Sequence, residues 1–412
     1  MTAPVAAPDP RDRADGLGWV TRAVFADARL RVGIGPIEEA AMRFAVVPSV
    51  RRARFLLPLA GRPVAAAALL AYNALRPTPV RLARAAVGAA ARLGAARLAP
   101  FPMLSIAVPA GVDPTEVLLT HRLTAALGGE RLHAAIGVRP PDPNRKPTLQ
   151  LFDDGGRPRG YAKIGWNGAT RDLVRAEGAT LTRLPTAPVD PAYPLVPRLL
   201  TTTEWGGQQV AVIAPLPPDV RRLADPRSPR LAAIRAVSRG DAAEAVVRPL
   251  AGSPLHRRFA AAAARAAAVD HGRCARAVTA LVDRCGRMPM EFGCWHGDWV
   301  PWNLGQLGDR LVAWDWEHAG TGVPLGFDLV HQAFQEALVV AGRPVDRAAR
   351  AAETAVRRYG AELGLDPAVG TAVVDAYLIE MWLRTWRLAV GGAGWNPALH
   401  PGLLDLLDSR LS

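Results

Sequence analysis

The sequence predicts an α+β protein, in which a small, mostly antiparallel β-sheet part precedes a mainly helical part and an amino-terminal extension precedes both. Short apolar segments separated by turn signals fill residues 132–213. After the prolines at 215–218 the apolar spacing becomes mostly helical. Half of the 412 residues are hydrophobic and 21% are charged, which is typical of a globular chain with a sizeable core and excludes a disordered one.

Two segments make up the amino-terminal quarter. Residues 1–35 are interpreted as a partly disordered leader, because they have almost no periodic apolar pattern, and we expect folding to survive their removal. Residues 36–100 form the extension, with short strands at 42–58 around Pro48-Ser49 and Ala- and Arg-rich helices up to about residue 98. We expect the extension to pack on the sheet part, with continuation of its sheet as one way to do so. A chain that lacks both segments is therefore not expected to be soluble.

The remaining chain divides into the sheet part, residues 101–217, and the helical part, residues 218–412. The sheet part contains predicted strands at 132–138, 148–152, 160–165, 196–200 and 210–213, and a helix from an N-cap at Thr170 to residue 184. The helical part is interrupted by an irregular segment at 286–305 and by a hairpin of 302–307 and 311–315 that turns at Gly308-Asp309.

The cysteines and the apolar segments bear on the cellular location of the protein and on the redox state of its thiols. Cys274, Cys285 and Cys294 form no closely spaced pair, which excludes a disulfide framework and disfavours a structural zinc site. Residues 1–16 lack the apolar stretch of a secretory signal, and no segment reaches the ~20 apolar residues of a membrane-spanning helix. We therefore expect reduced thiols in a cytoplasmic protein.

Charge is distributed unevenly. Residues 1–285 carry 40 basic and 22 acidic side chains, whereas residues 286–412 carry 10 and 15. A basic region attracts anionic nucleotides, nucleic acids or membrane surfaces. Arg81, Arg84 and Arg92 share a helix face, which is typical of a solvated surface helix or of a helix on an anionic membrane. We favour the solvated face, expect no specific nucleic-acid partner, and keep peripheral membrane contact as the less favoured alternative.

One short segment carries the strongest chemical signal. Residues 296–303 read H-G-D-W-V-P-W-N, so His296, Asp298 and Asn303 lie on one loop, and Asp315 ends the predicted hairpin beside it. Oxygen-bearing side chains that converge on one point suit a hard cation such as Mg²⁺, which shares its coordination with phosphates. The arrangement also leaves one carboxylate to meet a substrate hydroxyl.

This pattern resembles the aminoglycoside phosphotransferase and choline kinase family of the protein-kinase-like superfamily. The spacing H-x-D-x-x-x-x-N is that of the kinase catalytic loop, and Gly297 follows the histidine as in the small-molecule branch. The resemblance implies a two-lobed protein-kinase-like fold. It also implies phosphoryl transfer from ATP, with Mg²⁺, to a hydroxyl of a small molecule.

The resemblance assigns roles to the loop residues. Asp298 matches the catalytic base, and His296 is expected to support the catalytic loop rather than react. Asn303 and Asp315 match the metal ligands. Glu317 serves either the metal or the substrate, and the sequence leaves that choice open.

The sheet part fits the same resemblance. Lys163, one of two lysines in the chain, lies in the third predicted strand and resembles the lysine that holds the α and β phosphates. Glu177 resembles its ion-pair partner on the next helix. Ala214 to Leu216 lies where the family has its hinge, so these residues are expected to contact adenine through their backbone. Lys146 is either a second phosphate contact or a surface lysine.

Some features depart from the family pattern or leave alternatives. The loop between the first two strands has no glycine, so phosphate contacts there would come from backbone amides and from Arg145 or Lys146. Val323 replaces the family's usual Asp. Trp382 and Trp386, four residues apart, either contact the acceptor or pack in the core. The acceptor is unidentified, and the alternative function is a nucleotide-binding regulatory protein without transfer activity.

Overall fold

The computed structural model describes residues 16–71, 75–94, 100–139, 142–185, 190–240 and 246–411. The chain forms a first unit, Met1–Gly178 with Pro197–Val220, and a second unit, Ala179–Val196 with Arg221–Ser412. The first unit is built on one large antiparallel sheet and the second is mainly helical, so the predicted α+β class is confirmed. Among the described residues, no helix is both long enough and apolar enough to span a membrane.

The first unit contains a sheet of nine strands among the described residues, in the order β1-β4-β2-β3-β5-β6-β7-β9-β8. In chain order these strands are β1 (Arg31–Ile34), β2 (Met42–Val47), β3 (Phe55–Pro58), β4 (Met103–Ala107), β5 (His133–Gly137), β6 (Thr148–Phe152), β7 (Pro158–Gly165), β8 (Leu199–Trp205) and β9 (Gln208–Ile213). Strand β3 pairs with β5, so the strands of the extension continue the sheet of residues 101–217. The sheet is therefore larger than the sequence predicted.

Six helices begin within the described residues of this unit: α1 (Gly16–Val24), α2 (Arg62–Leu70), α3 (Thr78–Arg92), α4 (Pro114–Val117), α5 (Leu119–Ala126) and α6 (Gly168–Arg183). The sequence predicted that Thr170 caps helix α6, but the capping residue is Asn167. Asn167 Oδ1 accepts the Thr170 amide hydrogen at 2.8 Å, and Thr170 Oγ1 accepts the Asn167 amide hydrogen at 3.1 Å. This reciprocal pair is a capping box, in which Thr170 occupies the third helical position.

Helix α1 was missed by the sequence analysis. Residues 1–15 of the predicted leader lie outside the described residues, but Gly16–Val24 form a helix whose Leu17, Trp19 and Val20 are buried. These side chains belong to the main core cluster of the first unit, with Phe44, Leu56 and other residues from the sheet. Only nine residues long, α1 gives too short a periodic pattern to be recognised from the sequence.

The second unit contains two three-stranded sheets among its described residues, ordered β10-β13-β14 and β11-β12-β15. The strands are β10 (Arg221–Arg222), β11 (Val246–Pro249), β12 (Pro289–Trp295), β13 (Leu304–Leu307), β14 (Arg310–Ala313) and β15 (Gly320–Pro324). The helices are α7 (Leu231–Arg239), α8 (Pro254–Asp270), α9 (Arg273–Cys285), α10 (Phe327–Gln335), α11 (Val345–Tyr359), α12 (Pro367–Leu388) and α13 (Gly402–Leu411).

The segment 286–305 was predicted to be irregular, but it contains strand β12, so this prediction was wrong for Pro289–Trp295. The strand pairs with β11 and with β15, which are distant in the chain, and a break in register lies between Gly293 and Cys294. Gly293 is required there, because a Cβ atom at this position would lie 2.1 Å from the carbonyl oxygen of Ser238. A glycine and a bulge interrupt the alternation by which a strand is recognised in a sequence.

All three cysteines are free, in agreement with the expectation of reduced thiols. Burial raises the pKa of each thiol, most strongly that of Cys274, to about 12. Such thiols stay protonated near neutral pH and are poor nucleophiles and metal ligands.

Candidate active site

The loop after β12 is held by two buried side chains from helices. Asp328, at the start of α10, accepts the amide hydrogens of His296 and Gly297 at 2.8 and 3.0 Å. Burial raises the pKa of Asp328 to about 7, although both hydrogen bonds favour its charged form. Arg384, on α12, donates to the Gly297 carbonyl oxygen at 2.9 Å and stacks over Trp295 at 5.1 Å. The loop backbone is thus fixed from both sides.

The backbone conformation and the close packing at Gly297 explain why a glycine follows the histidine of the loop. Its φ is +79°, a left-handed conformation that favours glycine. A Cβ atom here would also lie 2.1 Å from the carbonyl oxygen of His318, so no larger residue fits without moving the backbone. The loop conformation therefore depends on this residue type.

His296 is a structural element of the loop. Its ring is fully buried and lies between Trp299 and Trp316, with ring centroids 5.8 and 4.3 Å away. Nε2 donates to the Trp314 carbonyl oxygen at 3.2 Å, and Nδ1 accepts the Asp298 amide hydrogen at 3.1 Å. Burial lowers the pKa of His296 to about 4, so the ring is neutral and both nitrogens are used.

Asp298 presents a partly exposed carboxylate whose two oxygens are held by separate donors. Asn303 Nδ2 donates to Oδ2 at 2.7 Å, and His331 Nε2 donates to Oδ1 at 3.0 Å. The side chain of Asp298 is 27% exposed, whereas that of His331 is 1% exposed. The carboxylate is therefore fixed in orientation and still reachable by a ligand.

His331 was missed by the sequence analysis. It lies on α10, and its Nδ1 accepts a hydrogen bond at 3.0 Å from the hydroxyl of Tyr377, a buried residue of α12. Because Nδ1 accepts, Nε2 carries the proton that is donated to Asp298. Burial lowers the pKa of His331 and keeps its ring neutral. Its position three residues after Asp328 was the one available signal, since this spacing places both on one face of a helix.

The β13–β14 hairpin brings Asn303 and Asp315 together at its open end. Leu304 pairs with Ala313, and the Trp314 amide donates to the Asn303 carbonyl oxygen at 3.1 Å, so Asp315 follows directly. Asp315 has a left-handed backbone with φ of +73°, which is uncommon for a residue other than glycine. The predicted hairpin is confirmed, and it places both predicted metal ligands within the second unit.

The chemistry of these side chains fits Mg²⁺. Asn303 Nδ2 donates to the backbone oxygen and to Oδ2 of Asp298, at 3.1 and 2.7 Å. These bonds turn the amide nitrogen towards Asp298 and leave the amide oxygen for a cation. An amide oxygen and a carboxylate are the hard ligands that Mg²⁺ prefers. Glu317, which follows Asp315 by two residues, is buried beside His318.

Lys163 and Glu177 form a pair within the first unit, as predicted. Lys163 lies on β7, between β6 and β9, and its Nζ donates to both carboxylate oxygens of Glu177 on α6, each at 2.7 Å. The Lys163 side chain is 14% exposed and that of Glu177 is 1% exposed. Two short bonds from a strand to a helix fix the ammonium group in one place.

The other predicted nucleotide contacts lie elsewhere in the first unit. Ala214 and Leu216 are half-buried in the segment after β9, and the Ala214 amide donates to the Arg198 carbonyl oxygen at 2.8 Å. Lys146 is buried, and its Nζ donates to the Asn144 carbonyl oxygen at 3.0 Å, which does not fit a plain surface lysine. Arg145 is also buried and lies over the ring of Trp19 at 4.4 Å.

Trp382 and Trp386 pack in the interior of the second unit. They are 0% and 6% exposed, and Trp382 contacts Trp395 with ring centroids 6.4 Å apart. This burial favours core packing over contact with an acceptor.

Three solved structures are similar to this chain at low sequence identity. No protein-family model and no curated protein matches the chain. Among solved structures, the chain is similar to a thermostable mutant of aminoglycoside phosphotransferase APH(4)-Ia, at 14% identity over 71% of this chain and 99% of that one, with a TM-score of 0.46. It is also similar to a putative fructosamine-3-kinase from Haemophilus somnus 129PT, at 11% identity over 70% and 96% of the two chains, with a TM-score of 0.41. A choline/ethanolamine kinase family protein from Mesorhizobium loti matches at 16% identity over 64% and 83%, with a TM-score of 0.36.

Proposed function

We propose that the protein is an ATP- and Mg²⁺-dependent phosphotransferase that acts on a hydroxyl of a small molecule. The observation that carries the proposal is the Asp298 carboxylate, which is accessible while hydrogen bonds from Asn303 and His331 fix it. Asp315 follows the same hairpin whose other end carries Asn303. A fixed carboxylate beside oxygen donors suits the activation of a hydroxyl near a magnesium-bound phosphate.

The proposed reaction moves the γ-phosphoryl group from ATP to the acceptor. The acceptor hydroxyl oxygen forms a bond to the γ phosphorus, the bond from that phosphorus to the bridging oxygen breaks, and ADP leaves. Asp298 orients the hydroxyl and accepts its proton. His331 and Asn303 keep the carboxylate in position, and the neutral His296 holds the loop without exchanging a proton. The protein thus contributes positioning and charge stabilisation rather than covalent chemistry.

Further residues hold the nucleotide and its metal in this proposal. The Asn303 amide oxygen and the Asp315 carboxylate bind Mg²⁺, which supplies neutralisation of phosphate charge. Lys163, fixed by Glu177, binds the α and β phosphates. Ala214 contacts adenine through its carbonyl oxygen, because its amide already donates to Arg198.

Leu216 completes the proposed nucleotide site. We expect its backbone amide to contact adenine, since it lies two residues beyond Ala214 in the same irregular segment.

The first test of nucleotide binding is a thermal melt with and without Mg-ATP. At a concentration 100-fold above Kd, a ligand stabilises the folded state by about 2.7 kcal/mol. An unchanged melting temperature at millimolar Mg-ATP would contradict the proposal.

The second test is transfer itself. ATP labelled at its γ phosphate is incubated with the protein and, separately, with aminoglycosides, amino alcohols and sugars, and labelled products are separated. We expect one acceptor class to be labelled and labelling to require Mg²⁺. Binding of Mg-ATP without labelling of any acceptor and without slow ATP hydrolysis would instead favour the regulatory alternative.

A further inference from the structure

Helix α3, a part of the first unit, packs against α2 through a narrow face. Gly88 and Ala91 are its buried residues, and a Cβ atom on Gly88 would lie 2.7 Å from Leu70 Cγ, so α2 and α3 approach closely. Arg84 lies on the same face and donates from Nε to the Leu69 carbonyl oxygen at 2.9 Å. Positions 84, 88 and 91 follow the spacing of one helix face. The arginine and the small residues therefore face the protein.

The opposite face of α3 is apolar and exposed. Leu82, Ala86, Ala89 and Leu93 follow one another at helical spacing on this face, and the two leucines are 68% and 82% exposed. Val80 and Val87, which are 43% and 53% exposed, lie elsewhere around the helix and do not belong to this row. Large apolar side chains that lie contiguously on a surface mark a site of interaction rather than chance exposure.

The surrounding segment is strongly basic. Residues 40–112 contain ten arginines and no Asp or Glu. Arg76, just before α3, and Arg81 and Arg92, within it, are exposed. Positive charge thus accompanies the exposed leucine row, and residues 40–112 themselves contribute no acidic side chain.

We propose that α3 binds the surface of an anionic lipid membrane, with Leu82 and Leu93 inserted among the acyl chains and the flanking arginines at the lipid headgroups. An exposed apolar helix face bordered by arginine has the chemistry of a helix that lies in the plane of a membrane surface. Anionic headgroups attract such arginines over short distances. This binding is peripheral and independent of the proposed phosphotransferase activity.

Other occupants fit the same face less well. Nucleic acid offers phosphates to the arginines but gives the leucine row no apolar partner. A second copy of the chain would bring two basic segments together and add charge repulsion. From the sequence alone a solvated helix was favoured, because only the structure reveals that the small residues face inward and the leucines face outward.

The test measures binding of the full-length protein to sedimented vesicles. One set contains phosphatidylcholine alone, and the other contains phosphatidylcholine with phosphatidylglycerol. We expect binding to the anionic vesicles only, and weaker binding as salt is raised. The variant Leu82→Gln/Leu93→Gln should lower the affinity by about tenfold for each leucine. Arg76→Gln/Arg92→Gln should lower it by about fivefold for each arginine.

Matched controls separate the surface from the protein as a whole. Val339→Gln/Val340→Gln removes exposed apolar residues of the second unit, which are 60% and 70% exposed, and should bind vesicles like the wild type. Circular dichroism melts verify that each variant is folded. Absence of binding to anionic vesicles, or binding that the leucine variant leaves unchanged, would overturn the proposal. So would duplex DNA binding tighter than vesicle binding, or a dimer in sedimentation that the leucine variant dissociates while vesicles are not bound.

Discussion

At the scale of single residues, the central feature is the way Asp298 is held. A carboxylate that accepts a hydrogen bond on each oxygen keeps one orientation, and in the proposed reaction it would meet an acceptor hydroxyl without reorganising. Its donors are themselves restrained, since His331 accepts from Tyr377 and Asn303 donates also to the loop backbone. Removing a donor should therefore affect the reaction more than it affects nucleotide binding.

We predict that His331→Leu lowers kcat by about 10- to 100-fold, the scale of one lost hydrogen bond to a charged group, and leaves the KM for ATP nearly unchanged. His331→Asn, which keeps an N–H donor, should recover part of the loss. Tyr377→Phe should have a smaller effect, because it acts on Asp298 only through His331. Steady-state kinetics with any acceptor identified above, or with slow ATP hydrolysis, measures this. Equal kcat values in His331→Leu and the wild type would show that His331 does not position Asp298.

The buried histidines also predict how stability depends on pH. Burial holds the pKa of His296, at about 4, and that of His331 below the value of about 6.5 in an unfolded chain. As the pH falls below 6.5, the unfolded chain binds protons that the folded chain does not, so the free energy of unfolding decreases. The contribution is complete above pH 6.5 and is lost towards pH 4.

Urea unfolding at several pH values between 7 and 5 measures this effect. We expect His331→Asn to show a smaller decrease with acidification than the wild type. The control His271→Asn changes an exposed histidine, and its free energy of unfolding should decrease with acidification as steeply as that of the wild type. A variant slope equal to that of the wild type would contradict the assignment of His331 as a buried neutral ring.

The sequence indicated those residues of the candidate site that lie close together along the chain. His296, Asp298 and Asn303 belong to one motif of eight residues, and Asp315 follows through a short hairpin. His331 lies 33 residues after Asp298, and Tyr377 lies 46 residues after His331. Contacts between distant helices leave no local pattern, so these residues required the structure.

At the scale of elements, short strands with clear turns were predicted well. Strand β6 has the predicted bounds, and the hairpin turns at Gly308-Asp309 as expected. Strand β8 begins three residues later than its predicted start at 196. Helix α1 and strand β12 were missed, because the first is short and the second is interrupted by Gly293 and stabilised by partners distant in the chain.

Helix α1 changes the expected effect of removing the amino terminus. Trp19 is 2% exposed and packs against Trp166 with ring centroids 5.5 Å apart. We predict that Trp19→Ala lowers the free energy of unfolding by about 3–5 kcal/mol, the range for a buried tryptophan. Deletion of residues 1–35 should likewise destabilise the protein, contrary to the expectation from the sequence.

Chemical denaturation of Trp19→Ala beside Arg22→Ala, an exposed position of the same helix, provides the measurement. The arginine variant should remain within about 0.5 kcal/mol of the wild type. If Trp19→Ala and the deletion both matched the wild type, α1 would not contribute to the core of the first unit.

At the scale of the whole molecule, the two units differ in composition and in proposed task. The first unit, with its antiparallel sheet, fixes the Lys163 ammonium beside Glu177. The second unit, mainly helical, fixes the Asp298 loop and the hairpin with Asn303 and Asp315. The change from strand to helix patterns after residue 217 indicated a sheet part followed by a helical part. The pairing of β3 with β5, by which the extension continues the sheet, could not be derived from the sequence.

The measurement that tests the central claim most directly is γ-phosphate transfer by Asp298→Asn beside the wild type. The amide keeps the size of the side chain but cannot accept the hydroxyl proton, so we predict that transfer falls by about 10²- to 10⁴-fold while calorimetric ATP binding changes little. The control Asp309→Asn, in the exposed hairpin turn, should transfer phosphate like the wild type. Transfer by Asp298→Asn at the wild-type rate would contradict the account, because Asp298 would then not be the base.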